Sequence, residues 1–194
     1  MRRKTLDALL ATGGLMLAVV LLVAGGLLVW AHSFVSDQVK TQLSQQQIFF
    51  PPKGEATADP KIGPYINQYA GQQLVNGAQA RAFADHYIAV HLNESGGGLT
   101  YAQLSAKSRA NPNDAELAAS VQTAFRGETL RGLLLNAYAF DTMGKLALYS
   151  GIAAFIGAGV LLLMSLLGFL HLYRVDPEED VLVSHARHPA VVTA

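Results

Sequence analysis

The sequence lacks cysteine altogether, and this absence excludes disulfide bonds, zinc thiolate sites, iron–sulfur clusters and thiol nucleophiles. It is also poor in charge, because Asp, Glu, Lys and Arg make up only 14% of the chain against roughly 25% in an average soluble protein. Basic and acidic residues are equal in number, 14 of each, so nothing predicts the concentrated basic face that nucleic-acid binding requires. Hydrophobic residues, at 51%, dominate the 194-residue chain instead.

Much of this hydrophobic content lies in two runs without a charged side chain. Residues 8–30 form the first run, and Leu146–Leu170 form the second. A helix needs about 20 mainly apolar residues to cross the bilayer core, and both runs are long enough. A cleaved signal peptide, the alternative for the first run, has a shorter apolar region and a small-residue cleavage site, which the sequence "VWAHSF" does not provide. We therefore predict transmembrane helices over 8–30 and 146–173.

The flanking charges predict the orientation of these two helices. Arg2–Lys4 precede the first run and Arg174 follows the second, and positive charge favours the cytoplasmic side. Trp30 and Tyr149 fall near the opposite ends of the runs, where interfacial aromatic residues are expected. The chain is thus predicted to cross the plasma membrane twice, with a cytoplasmic N-terminus (1–7), an extracytoplasmic domain (31–145) and a disordered cytoplasmic tail (174–194).

The middle segment is predicted to be helical, because it shows helical apolar spacing and no alternating strand pattern. The first run continues as a stalk over 32–47 and ends before Pro51. Further helices are expected over 64–75 (Pro64 at its start), 77–94 (N-cap Asn76), 101–110 (capping box Thr100–Gln103) and from Pro112 into the second span (N-cap Asn111). The predicted fold class is all-α, with two transmembrane helices carrying an extracytoplasmic helical bundle.

The histidine and carboxylate residues of the middle segment do not predict a reactive centre. His86 and His91 are five residues apart, about 140° around a helix, so their side chains do not converge on one metal ion. His91 and Glu94 share a helical face, but two ligands do not make a metal site. No nucleophile elbow, phosphate loop or zinc-protease motif is present in the sequence. We therefore predict that the protein is not an enzyme and uses no metal or cofactor.

The stretch "QQQIFFPPKG" places three large apolar side chains, Ile48, Phe49 and Phe50, where two prolines force the chain to turn. Two interpretations are open. The three side chains either complete the core of the bundle at the turn, or form an exposed anchor for a partner protein, as aromatic residues do at interface hot spots. They are therefore candidate partner-binding residues.

Arg126 and Arg131 are the other candidates for partner binding. Glu128 lies three residues before Arg131, a spacing that is typical of an ordinary ion pair within one helix. In the alternative interpretation, the two arginines bind a lipid phosphate or a carboxylate of the partner.

The second run is rich in small residues at four-residue spacing, which lets another helix approach closely. The candidate helix-packing residues are Ala147, Ser150, Gly151, Ala154 and Ala158. The first run offers similar surfaces at Gly13, Gly14, Ala18, Gly25 and Gly26, so the packing partner is either the first run or another protein. Neither run contains an ionisable residue, which disfavours an ion pathway within the membrane.

Four stretches of the middle segment and the start of the second span resemble a family of two-span membrane proteins from actinobacteria. These stretches are "DQVKTQLSQQQIFFPPKG", "YAGQQL", "ADHYIAVHL" and "FRGETLRGLLLNAYAF". The resemblance implies a two-span membrane topology and an actinobacterial source, and it carries over no activity. Some members have been labelled aromatic ring-opening dioxygenases, but such an enzyme needs a ferrous site of two histidines and a carboxylate, which the histidine spacing here does not predict.

These observations favour a non-enzymatic membrane protein that serves as an accessory, assembly or scaffold component of a cell-envelope or membrane complex. Its expected partners are the lipid bilayer and another membrane or envelope protein, and a homo-oligomer is possible. The alternative is an extracytoplasmic sensor or ligand-binding protein. Since the chain has no output module, a sensor would signal through a separate cytoplasmic partner that contacts the tail.

Overall fold

The computed structural model describes residues 3–54 and 57–174 of the chain, and within these ranges it is predominantly helical. The prediction of an all-α fold is confirmed there, since the one β feature in these ranges is an isolated antiparallel bridge between Phe49 and Gln73. The helices, in chain order, are α1 (Arg3–Gln45), α2 (Gly63–Ile66), a 3₁₀ turn (Asn67–Tyr69), α3 (Gly77–Phe83), a π-helical turn (Ala84–Ile88), α4 (Ala89–Ser95), α5 (Tyr101–Ala110) and α6 (Ala115–Leu172).

The chain divides into two compact units, each of which contains a part of α1 and a part of α6. We call the first the hairpin unit; its described residues run up to Val29 and from Tyr149 onwards. The second, Trp30–Leu148, is called the helical domain. Both α1 and α6 are long and apolar enough to cross a membrane. The predicted tail lies outside the described residues from position 175 onwards, and so do residues 1–2 and 55–56.

In the hairpin unit, small side chains let two antiparallel helices pack closely. Ala18 of α1 and Ala158 of α6 are fully buried. A Cβ atom added at Gly151 would lie only 3.1 Å from Val29 Cγ2 and 3.2 Å from the carbonyl oxygen of Gly25. The contact surface repeats every seven residues in both helices, a spacing typical of left-handed helix pairs: Ala11, Ala18 and Gly25 lie on α1, and Gly151, Ala158 and Ser165 lie on α6.

The seven-residue spacing separates the predicted packing positions into contacting and outward-facing ones. Gly14, Gly25, Gly151 and Ala158 lie in the contact, and Ala154 is half-buried. Ser150 is exposed. Gly13 and Gly26 face open space. Ala147 is also half-buried, but it belongs to the helical domain. Within this unit, therefore, the small-residue face of α6 packs against α1.

In the helical domain, α1 and the helix from α3 to α4 pack against α6. The ring of His32 lies 3.0 Å from the carbonyl oxygen of Gly144, which fixes α1 beside α6. The α3–α4 helix runs antiparallel to α6 through paired contacts one or two helical turns apart, which keep one helical face in contact: Gly77 with Asp141, Arg81 with Tyr138, Asp85 with Arg131, and Leu92 with Gly127. Gly77 and Gly127 leave no room for a Cβ atom against their partners, so they set the close approach of the two helices.

Two local predictions fail for identifiable reasons. The helix expected over 64–75 is short, because Gly71 has a positive φ of 72° and Gln72–Leu74 form extended backbone that pairs with Ile48–Phe50. The start of α6 is capped by Asp114, whose carboxylate accepts the Leu117 N–H at 2.9 Å. Asn111, the predicted cap of α6, instead ends α5, where its N–H donates to the carbonyl oxygens of Lys107 and Ser108.

Other boundary signals are confirmed. The side chain of Asn76 accepts the Gln79 N–H, as expected for an N-cap. Thr100 and Gln103 form the complete capping box at the start of α5, which spans the predicted residues Tyr101–Ala110. The helix from α3 to α4 ends at Ser95, one residue beyond the predicted range of 77–94, and Gly96 is its C-cap.

The packing of the hairpin unit gives the first testable prediction. Gly151→Leu should lower the midpoint of thermal unfolding in detergent, because a large side chain at this contact forces the two helices apart at a cost of about 1–3 kcal/mol. Gly159→Leu is the matched control, since a Cβ atom there meets no atom within 4 Å. Equal midpoints for the two variants would contradict the packing described here.

Candidate binding groove

The chain reverses direction just after α1, and this turn determines which apolar side chains are buried. Gln47 adopts a positive φ of 51°, and the next three residues are extended. Leu74 N–H donates to the Ile48 carbonyl oxygen at 2.8 Å, and Phe50 N–H donates to the Gln72 carbonyl oxygen at 2.9 Å. Because side chains alternate along an extended segment, residues 48 and 50 face one side and residue 49 faces the other.

The buried side of this segment belongs to the core of the helical domain. Phe50 is only 2% exposed, and its ring contacts Phe83 edge-on at 5.3 Å and Tyr69 at 5.1 Å between centroids. Ile48 is half-buried against the same core. Phe49, in contrast, is 58% exposed. Of the three candidates for partner binding at this turn, Phe50 is therefore a core residue, Phe49 is exposed and Ile48 is half-buried.

An open groove of about 450 Å³ lies along one side of the helical domain, between α1 and α6. Ile48 lines its end nearest the turn. The α1 side is formed by Phe34, Val35, Gln38, Val39, Gln42, Leu43 and Gln46. The α6 side is formed by Leu130, Leu133, Leu134, Asn136, Ala137 and Phe140. Twelve residues separate the first and last α1 positions, which corresponds to a length of about 18 Å along the helix.

The lining of the groove is apolar, with polarity supplied by carboxamides alone. None of the lining residues carries a charge at any pH that proteins experience, and the polar ones are three glutamines and one asparagine. Val39, Leu43 and Leu134 are buried and form the floor. Leu133 and Phe140 are 61% and 58% exposed, although both are large and apolar. Such a cluster of exposed apolar side chains is typical of an interaction surface.

Aromatic and sulfur-containing side chains extend this surface along both helices. Trp30 and Phe34 stack with their ring centroids 5.7 Å apart, and both are exposed. Met143, one turn beyond Phe140 on α6, is exposed as well. Aromatic and methionine side chains are enriched in the centres of protein interfaces, so these residues enlarge the candidate binding surface.

The two candidate arginines have different surroundings. Arg131 is paired within the domain, at 3.3 Å from Asp85 and 3.4 Å from Glu128. Asp85 also approaches Arg81 at 3.7 Å, so Arg131 takes part in a small charge network that joins the α3–α4 helix to α6. The interpretation of Glu128 and Arg131 as an intrahelical pair is confirmed. Arg126 lies on the exposed face of α6 and remains a candidate for partner binding.

The histidines of the middle segment make aromatic and backbone contacts. The ring of His86 stacks on that of Tyr65, with centroids 3.6 Å apart and planes 4° from parallel. The Nδ1 atom of His91 lies 2.8 Å from the Tyr87 carbonyl oxygen, and the two rings are in contact. In residues 3–54 and 57–174, no three histidine, aspartate or glutamate side chains are grouped in a way that could hold a metal ion.

The groove was not predicted from the sequence, although a signal for it exists. The glutamines at 38, 42 and 46 recur every four residues, which places them on one face of α1. Leu133 and Phe140 are seven residues apart on α6, beside the buried Leu134. These two patterns indicate faces, but they do not show that the faces lie next to each other.

Comparisons with protein-family models, with curated proteins and with solved structures found no match to this chain. The resemblance to the actinobacterial two-span family therefore remains an expectation from the sequence. The groove and the two apolar helices are accordingly the features from which a function can be inferred.

The turn gives a second prediction, which distinguishes core from surface. Phe50→Ala should lower the free energy of unfolding of the full chain in detergent by about 3–5 kcal/mol, because it leaves a cavity between two aromatic rings. Phe49→Ala should change it by less than about 0.5 kcal/mol, since that side chain is mostly exposed. Chemical unfolding followed by circular dichroism measures both. A similar loss in both variants would contradict the alternation of side chains at this turn.

Proposed function

We propose that this protein is a non-enzymatic, two-pass plasma-membrane protein that acts as an accessory, assembly or scaffold component of a cell-envelope complex. In this proposal the hairpin unit spans the membrane, the helical domain lies on the extracytoplasmic side, and both termini are cytoplasmic. The groove holds an apolar helix of a partner protein. The proposal includes membership of the actinobacterial two-span family that four stretches of the sequence resemble.

The surface of the hairpin unit supports a membrane location. Only 11% of the most apolar window of either long helix is buried inside the protein, whereas the core helix of a soluble protein is mostly buried. The large exposed side chains of the hairpin unit are mostly leucine, valine, isoleucine and methionine, which are stable in lipid and costly in water. Trp30 and Tyr149 are both exposed at one end of the apolar segments, as interfacial aromatic residues are.

The groove is the single observation that best supports partner binding. Its floor is aliphatic and its rim carries large exposed apolar side chains, which are the features of a groove that accepts one face of a helix. Water is a poor occupant, because it finds few hydrogen-bond partners along such a floor. A partner helix that covers the rim would remove the exposed part of Leu133 and Phe140 from water and would gain affinity from that burial.

The volume of the groove favours a second candidate function, that of a sensor. About 450 Å³ lies within the range of small-molecule sites, roughly 300–1,000 Å³. In this case the ligand would be apolar and uncharged, to match the lining, and a separate cytoplasmic protein would transmit the signal. The exposed rim favours the first candidate, since a small ligand on the floor would leave Leu133 and Phe140 in water.

The proposed topology predicts which positions are accessible from outside the cell. The chain has no cysteine, so single-cysteine variants report on one position each. Lys107→Cys, on an exposed face of α5, should react with a membrane-impermeant maleimide in intact cells, whereas Ser184→Cys should react only after the cells are opened. The unmodified chain is the control for background labelling. The reverse pattern of reaction would exclude this orientation.

Partner binding predicts a cross-link that depends on the groove. A photo-reactive amino acid in place of Phe140 should form a protein adduct in native membranes. Leu133→Glu should remove that adduct, because an unpaired carboxylate is costly to bury in an apolar contact. Ala139→Glu, an exposed position about 120° away around α6, should leave it intact. An adduct to lipid or small molecules alone, with no protein, would favour the sensor.

A further inference from the structure

We infer that the groove is a self-association surface, in which a second copy of this chain packs its own groove face against it. The inference rests on the proposed function for one point, namely that both copies lie in the same membrane with the same orientation. It names the partner that the groove receives. The two copies would form a four-helix arrangement from the paired segments of α1 and α6.

One face of the α1–α6 pair remains uncovered in the helical domain. In the helical domain α1 and α6 lie side by side, and one face of this pair packs on the core that contains Phe50, Phe83 and Leu74. The other face is the groove, with its aliphatic floor and exposed rim. Pairs of antiparallel helices with an apolar face achieve burial by packing on another such pair, as in four-helix bundles. A second copy supplies a pair of matching length and spacing.

The second argument is the chemistry of the polar lining. In a two-fold symmetric interface a residue near the axis meets its own counterpart, so a lysine or glutamate there would face a like charge. A carboxamide carries both donors and an acceptor and can therefore pair with an identical carboxamide. The polar residues of the groove are all of this kind: Gln38, Gln42, Gln46 and Asn136. Gln42 already donates to Gln38 along α1, at 3.5 Å, so the amides can form a continuous row.

The third argument is that this surface contains both protrusions and a depression. The rim residues Phe34, Leu133 and Phe140 project from the same face as the floor residues Val39 and Leu134. In a two-fold symmetric pair the rim of each copy fills the floor of the other.

The test uses single cysteines in the full-length chain in native membranes. Gln42→Cys lies in the groove, and Lys40→Cys lies about 160° away around the same helix. With a short bis-maleimide, Gln42→Cys should give a covalent dimer as its main product, and Lys40→Cys should remain monomeric. In the Gln42→Cys background, Leu133→Glu should reduce the dimer yield by about tenfold or more, since burying the carboxylate costs more than one decade of affinity. Ala139→Glu should not reduce it.

Each outcome of these cross-linking experiments either supports or contradicts self-association. Monomer at Gln42→Cys, equal dimer yields at positions 42 and 40, or a yield that Leu133→Glu leaves unchanged would each overturn it. Since Leu133 is exposed, the variant should fold, and an unchanged helical spectrum in detergent checks this. If the photo-reactive residue at 140 captures a different protein while Gln42→Cys stays monomeric, self-association is wrong and the proposed function stands. If neither cross-link forms, both are wrong.

Discussion

The helical domain depends on the burial of Phe50 between Phe83 and Tyr69. This ring is held there by backbone pairing of Ile48–Phe50 with Gln72–Leu74, which joins the end of α1 to the start of the α3–α4 helix. The pairing is short, but it satisfies backbone groups that would otherwise be buried without partners. Because of this turn, α1 stays beside α6 over its last four turns. The floor of the groove, at Val39 and Leu43, is a consequence of that placement.

The second contact that shapes the domain is the antiparallel packing of the α3–α4 helix on α6. Glycines at 77 and 127 allow a close approach, and the charge network of Arg81, Asp85 and Arg131 lies between them. A π-helical turn at Ala84–Ile88 widens the helix in the middle of this contact. With one face of α6 occupied in this way, the face that carries Leu133 and Phe140 is left open. The groove is therefore the side of the α1–α6 pair that the domain does not cover.

The hairpin unit follows a different physical rule. In the membrane location that we propose for it, the hydrophobic effect would not drive the two helices together, so close van der Waals packing of small residues would do so. The seven-residue series of alanine, glycine and serine on α1 and α6 provides this packing, and the large side chains face outward. The four-residue motifs of the sequence include two residues of this contact, Gly151 and Ala158. They did not distinguish Gly151, which lies in the contact, from Ser150, which is exposed, because both belong to such motifs.

Features that depend on neighbouring residues could be predicted from the sequence: the all-α class, the two apolar helices, the cap at Asn76, the capping box at Thr100 and the end of the helix near Gly96. These are local because capping and helix breaking involve atoms within about four positions. The burial of Phe50 rather than Phe49, and the position of the glutamine face of α1 beside Leu133 and Phe140, follow from the tertiary structure instead. Both outcomes depend on contacts between residues that are distant in sequence. The energies of these contacts exceed the conformational preferences of the individual segments, so the residue spacing within one segment does not specify them.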